Sequence, residues 1–258
     1  MRRSLSLLPW LLAALFMPAG PAAAREVVLS LSKERVTITS SFAGEDVALF
    51  GVIGRGGDTP ETAYDVIVTA RGPDQSFVTW RKARRLGLWM NVESRSFLAA
   101  PSYLAVLSSR PPVQIADAET LRTEQAGLAN NRLLQRVGGD YADVVPEDPF
   151  RQAFLRVKQQ QGLYFERNAA VSFIAPYVFR VAIPIPGQAP VGRYQVVAKV
   201  FAGRELIGSR TVELEVAKVD FEQAVAEAAH GWPWLYGLGA ALGALAVGFI
   251  ASVVFRKD

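Results

Sequence analysis

The last 23 residues, YGLGAALGALAVGFIASVVFRKD from Tyr236 to Asp258, constrain this chain more than any other stretch. They are apolar for about the thickness of a bilayer, rich in Gly and Ala, and closed by Arg256 and Lys257. From Leu235 to Phe255 a helix rising about 1.5 Å per residue would be ~31 Å long, which matches the hydrocarbon core. Trp232, Trp234 and Tyr236 stand before it as interfacial anchors, and Arg256 and Lys257 mark a cytoplasmic end. The pattern predicts a transmembrane helix over 235–255, a juxtamembrane linker over 221–234 and a short tail over 256–258. Ala240, Ala244, Gly248 and Ser252 recur every fourth residue, and Gly239 with Gly243 adds a GxxxG pair. Small residues let two helix backbones approach closely in lipid, so this stripe predicts packing against a membrane-protein partner or a second copy.

The other end reads MRRSLSLLPWLLAALFMPAGPAAAREVV. Arg2 and Arg3 form a charged start, Leu5 to Met17 a short apolar run, and Ala22-Ala23-Ala24 a cleavage site of the A-x-A kind. Pro9 and Pro18 interrupt the apolar run, so residues 1–24 read as a signal peptide rather than an anchor. A signal followed by one stop-transfer helix places residues 25 to about 230 outside the cytoplasm.

Charge adds less than it promises. The formal net charge of +4 invites a nucleic-acid reading. With Arg2, Arg3, Arg256, Lys257 and Asp258 set aside, the excess of bases over acids falls to about one. Cysteine is absent, which excludes disulfides, thiolate catalysis and thiolate metal sites.

Between the two apolar ends the pattern is mainly β. EVVLSLS, RVTITSSF, DVALFGVI and AYDVIVTARGP cluster β-branched and aromatic residues between turn signals, and SFVTWRKARRLGLWMNVESRSF continues them. In that last stretch Phe77, Trp80, Leu88 and Met90 read as core positions. Asp117 then caps a helix whose periodic positions are Leu121, Gln125, Leu128 and Arg132. A second helix starts at Asp148-Pro149, with Phe150, Phe154, Leu155 and Val157 on its apolar face. Strands resume in AAVSFIAPYVFRVAIPIP, GRYQVVAKVFAG and IGSRTVELEVAKV, with Gly203-Arg204 as a hairpin turn. The expected fold class is mainly β: an immunoglobulin-like β-sandwich over 25–220 with a helical insertion near 117–162, plus one C-terminal transmembrane helix.

Several stretches, in this order, carry a resemblance: SFAGEDVALFG, DVIVTARGP, RKARRLGLWMN, SFLAAPSYLAVLSSRP, VFRVAIPIPGQAPVGRYQV and the closing LYGLGAALG…FRKD. The chain resembles the putative transmembrane protein family named from its occurrence in alphaproteobacteria, over nearly all of its length after residue 24. The resemblance implies an inner-membrane protein whose bulk faces the periplasm and whose C-terminus is cytoplasmic. It also implies an accessory role beside sulfite-exporter-type anion permeases, and it brings no catalytic residues.

Arg81, Lys82, Arg84 and Arg85, beside Trp80, form the densest run of charge. They read either as a solvated strand–turn or as a contact for an oxyanion such as sulfite, or for lipid headgroups. His230 is the lone histidine, without other ligands at metal spacing, and reads as an interfacial anchor. Glu45-Asp46 and Glu147-Asp148 are adjacent pairs rather than a converging carboxylate dyad, and Asp148 is explained as a cap. The expectation is therefore no enzyme, no cofactor, no metal and no nucleic acid. Two other readings stay open: a hydrolase of envelope material, and a self-associating scaffold.

Overall fold

Segments with a two-residue apolar period become the strands of two stacked sheets, because alternate side chains leave a strand on opposite faces. The computed structural model describes residues 25–39, 42–54, 63–137, 140–218 and 233–254. One sheet joins β1 (Val27–Leu31), β3 (Gly44–Ile53), β12 (Val178–Pro186) and β11 (Val171–Ala175), in that order and antiparallel throughout. The other has six strands: β10 (Tyr164–Arg167), β7 (Leu104–Ser108), β4 (Asp65–Arg71), β13 (Gly192–Ala202), β14 (Glu205–Lys218) and β2 (Arg35–Ile38). Its two outermost pairs, β10 with β7 and β14 with β2, are parallel. This strand order is that of variable-type immunoglobulin sandwiches, with A-B-E-D facing a C-F-G sheet widened beside strand C.

The core lies between the sheets. Val47, Leu49 and Ile53 of β3 and Phe179, Val181, Ile183 and Ile185 of β12 meet Val66, Val68, Tyr194, Val196 and Leu214 of the other sheet. Gly51 interrupts the β3 alternation because the Phe179 ring lies over it; a Cβ there would sit 2.0 Å from Phe179 Cζ. Tyr194 donates from its hydroxyl to the Pro190 carbonyl, 2.6 Å away and four residues back. That is the tyrosine corner of immunoglobulin sandwiches, placed at the start of β13 as in strand F. Where such domains carry a bridging cysteine two residues later, this chain has buried Val196.

Strand β4 is buried from Asp65 through Ala70, and β7 along its whole length, because both faces are covered. The outer cover is a second cluster that joins Ile67, Val106 and Phe201 to Ile115 of α1 (Pro112–Ile115) and Leu121 of α2 (Ala118–Thr123). Asp117 caps α2 by accepting from the Thr120 N–H, yet the helix stops at Thr123. Gln125 and Gly127 have positive φ, so Leu128 and Arg132 do not continue its face. The helix α3 (Pro149–Gln160) is capped by Asp148 through the Phe150 and Arg151 N–H groups and buries Phe150 and Phe154, while Val157 faces out.

The expected membrane-spanning helix over 235–255 is corrected here. A helix α4 (Pro233–Val254) forms, but among the described residues no helix is long and apolar enough to cross a membrane. The expected signal peptide (1–24), most of the linker (221–232), His230 and the 256–258 tail lie outside the described residues.

Candidate functional site

Strands β5 (Asp74–Arg85) and β6 (Leu88–Pro101) leave the sandwich as a hairpin. They are inserted between β4 and β7, where immunoglobulin domains make a short connection. Its root is aromatic. Phe97 is fully buried, and Phe77 and Phe97 stand 5.4 and 5.0 Å from the Phe154 ring of α3. The Lys158 ammonium lies 3.8 Å from the Phe77 ring centre, and burial lowers its pKa. Strands β8 (Leu134–Val137) and β9 (Asp140–Asp143) extend this third sheet, but β8 pairs with β6 only at Leu98.

Beyond that root the hairpin is a two-stranded ribbon with both faces in solvent. The eight residues Val78–Arg85 carry it about 26 Å at ~3.3 Å per residue. Trp80, Leu88 and Met90 are therefore not core positions: they are 54 %, 69 % and 52 % exposed. A two-residue turn, Leu86-Gly87, closes the ribbon with φ of 51° and 83°, and Arg84 Nε donates to the Gly87 carbonyl at 3.2 Å. Positive φ at both positions defines the turn type that favours Asn-Gly. Here the first position is Leu86, and its side chain touches nothing: it is 103 % exposed.

Cross-strand pairing puts Arg85 beside Leu88 and Ala83 beside Met90 on one face, and Arg84 beside Trp89 and Lys82 beside Asn91 on the other. Arg81 is paired with Glu93 at 2.8 Å. Lys82, Arg84 and Arg85 form no salt bridge among the described residues. From Phe77 to Phe97 there are five cations and one acid, Glu93. The four residues singled out from sequence thus share one projecting tip, and sequence reasoning missed its apolar half: Leu86, Leu88, Trp89 and Met90. The signal was present, since Arg-Arg-Leu-Gly-Leu-Trp places a turn between residues too large and too apolar for a solvated loop.

Among the described residues no other surface gathers comparable groups. A cleft of about 420 Å³ is lined by Arg122, Arg132 and Arg151. Arg151 is already spent there: its guanidinium donates to the carbonyls of Val144, Ala129 and Asn131 and contacts Asp143 at 3.4 Å. Glu45 is paired with Lys33, and Asp148 is occupied as a cap. Burial raises the Tyr103, Tyr164 and Tyr194 hydroxyls far above the ordinary tyrosine range, so each serves as a donor to a backbone carbonyl. Among the described residues no group of three His, Cys, Asp or Glu could hold a metal ion.

On α4, a Cβ added at Gly243 or Gly248 would meet nothing within 4 Å, and Leu242, Leu245 and Phe249 are exposed. Ala244 and Ser252 of the stripe are exposed as well. Gly239, Ala240 and Tyr236 lie in the helix with side chains outside the described set, while Trp234 is exposed; Trp232, Arg256 and Lys257 lie outside the described residues.

Fold and site define a β-sandwich protein that carries a projecting hairpin, cationic and apolar at once. Residues 26–257 match the family described as "Putative transmembrane protein (Alph_Pro_TM)", and the chain belongs to that family. No curated protein matches the chain. Among solved structures, a collagen adhesin from S. aureus is 7 % identical over 77 % of this chain and 94 % of its own, with a TM-score of 0.15. A score that low carries no argument about fold or function.

Proposed function

We propose that this protein is a non-enzymatic interaction protein of the bacterial inner membrane, exported by residues 1–24. Its sandwich stands in the periplasm and serves as an accessory to an anion permease of the sulfite-exporter type. The β5–β6 hairpin carries this reading. A well-packed sandwich would not hold a 26 Å ribbon of exposed Trp, Leu and Arg in water without something to contact, because exposed apolar surface rimmed by polar groups marks interaction sites. The buried polar groups of the sandwich, among them Arg151, Asp65 and the three tyrosines, are engaged in holding the fold. Membership in a transmembrane-protein family supports a membrane setting. The permease link rests on the resemblance noted above.

Crosslinking the intact protein in native envelopes, followed by affinity capture and mass spectrometry, tests this. A permease recovered at stoichiometric yield is the expected result. Self-crosslinks alone would favour a homo-oligomer, a second reading for which the uncovered Gly243 and Gly248 of α4 leave room for a close helix contact. Recovery of neither would overturn both.

A further inference from the structure

We infer that the tip of the β5–β6 hairpin docks into the headgroup and shallow acyl region of an anionic lipid bilayer, with Leu86 leading. The inference deepens the membrane-interaction reading above by naming what the hairpin touches.

Four observations converge on lipid. The first is Leu86 itself. A left-handed backbone disfavours leucine and favours asparagine or glycine, and no described residue packs on this side chain. Neither turn geometry nor stability asks for an apolar residue at the apex.

The second is the arrangement of charge. Lys82, Arg84 and Arg85 lie just behind the apex, on both faces, and Trp89 lies among them, 71 % exposed. An apolar point with a tryptophan and a cationic collar is the order in which a bilayer presents acyl chain, interface and anionic headgroup.

Shape is the third. Arg85/Leu88 and Arg84/Trp89 are on opposite faces, so a flat protein surface could cover only one of them at a time. A fluid medium surrounds both. The open edges of the ribbon argue the same way, since the apolar residues are not gathered on one side as a docking strand would have them.

The last is position in the fold. The hairpin leaves the sandwich at Gly72-Pro73, and Pro73 packs on Gly192; a Cβ at Gly192 would stand 2.9 Å from Pro73 Cγ. Gly192 pairs with Val216, two residues before β14 ends at Lys218. The hairpin root and the end of the strand that precedes the apolar α4 sequence are therefore at the same end of the sandwich. Ser109 and α1 lie at the other end of β4.

The chain has no cysteine, so one can be introduced at Leu86 and labelled alone. The full-length Leu86→Cys protein, carrying an environment-sensitive fluorophore, is reconstituted in phosphatidylcholine vesicles with and without phosphatidylglycerol. The expected result is a blue-shifted label, quenched by lipid-borne shallow quenchers, in the anionic vesicles. Val113→Cys, exposed on α1 at the opposite end, should stay water-like. Adding Arg84→Gln and Arg85→Gln should weaken the label's partition into anionic lipid about tenfold or more, since each basic residue near the surface contributes a few-fold.

A label at residue 86 that stays open to aqueous quenchers in both vesicles overturns the inference. So does a shift seen only in native membranes and never in protein-free lipid, which would assign the tip to a protein partner. Neither result decides the permease capture, so the two readings fail separately.

Discussion

Strands β3 and β5 are built from similar residues and meet opposite fates. Both carry aromatic and β-branched side chains, and both pair along their length in antiparallel register. In β3 Val47, Leu49 and Ile53 share one face and vanish into the core, while Phe50 and Val52 on the other face stay exposed. In β5 and β6 large apolar and cationic residues alternate without sorting by face, and beyond the Thr79–Arg95 pair no described residue of another element covers either side. Pattern, not composition, decides whether a strand joins a core or projects from it. The sharpest way to break this comparison is truncation in each region. Phe179→Ala removes a fully buried ring and should cost about 3–5 kcal/mol, read as a fall in the denaturation midpoint. Trp89→Ala on the ribbon should change stability by less than about 0.5 kcal/mol. A large loss at Trp89 would mean the ribbon is packed, and the distinction would collapse.

A smaller effect probes the corner that sets the register of β13. Tyr194→Phe keeps the ring in place, 5.4 Å from Tyr103, and removes the donor to the Pro190 carbonyl. The expected loss is about 1–2 kcal/mol by chemical denaturation, because a part-buried carbonyl loses its partner. A neutral result would show that water reaches Pro190 and that the corner is not what fixes this turn.

Leu86→Asn should move the two regions in opposite senses. Asparagine tolerates the left-handed backbone better than leucine, so the turn should gain up to about 1 kcal/mol, read as a small rise in Tm. Contact with anionic vesicles should weaken in the same variant. Gain of stability with loss of contact would show that Leu86 is kept for its contact; loss of both would make it a structural residue.

Much of the sandwich was legible because its signals are local. Asp117 and Asp148 stand one residue before their helices, and Asp148-Pro149 combines a side-chain cap with a residue that needs no N–H at the first turn. Gly203-Arg204, both at positive φ, closes β13 on β14 with a two-residue turn. What could not be read was burial on the second face. Trp80, Leu88 and Met90 look like core residues in any local window, and only the absence of a third strand beside them shows otherwise. The end of α2 was hidden for a related reason: the chain turns at Gln125 with positive φ, and Ala126 joins the buried cluster that includes Phe201, on a strand some seventy residues away. The tyrosine corner, by contrast, lay in plain view as Gly-Arg-Tyr-Gln-Val. It was overlooked because the cysteine that usually accompanies it is a valine here.

The smallest expected effect concerns the root of the ribbon, where a lysine rather than an apolar residue lies against Phe77. Burial lowers the pKa of Lys158 below its unfolded value. The folded protein then binds fewer protons than the unfolded chain between that lowered value and about 10.4, the ordinary lysine value. Stability therefore rises with pH across that window, and below the folded pKa the full cost of burying the ammonium is present. The 3.8 Å contact with the Phe77 ring offsets part of that cost. Lys158→Met keeps the stem and its packing and deletes the charge. Its stability should be nearly flat over the alkaline window in which the parent's rises, with the two converging toward high pH. Denaturation midpoints measured across that range check the sign. A parent that loses stability instead would mean that the ring and its surroundings favour the ammonium, and that the ribbon is rooted by charge rather than by aromatic packing.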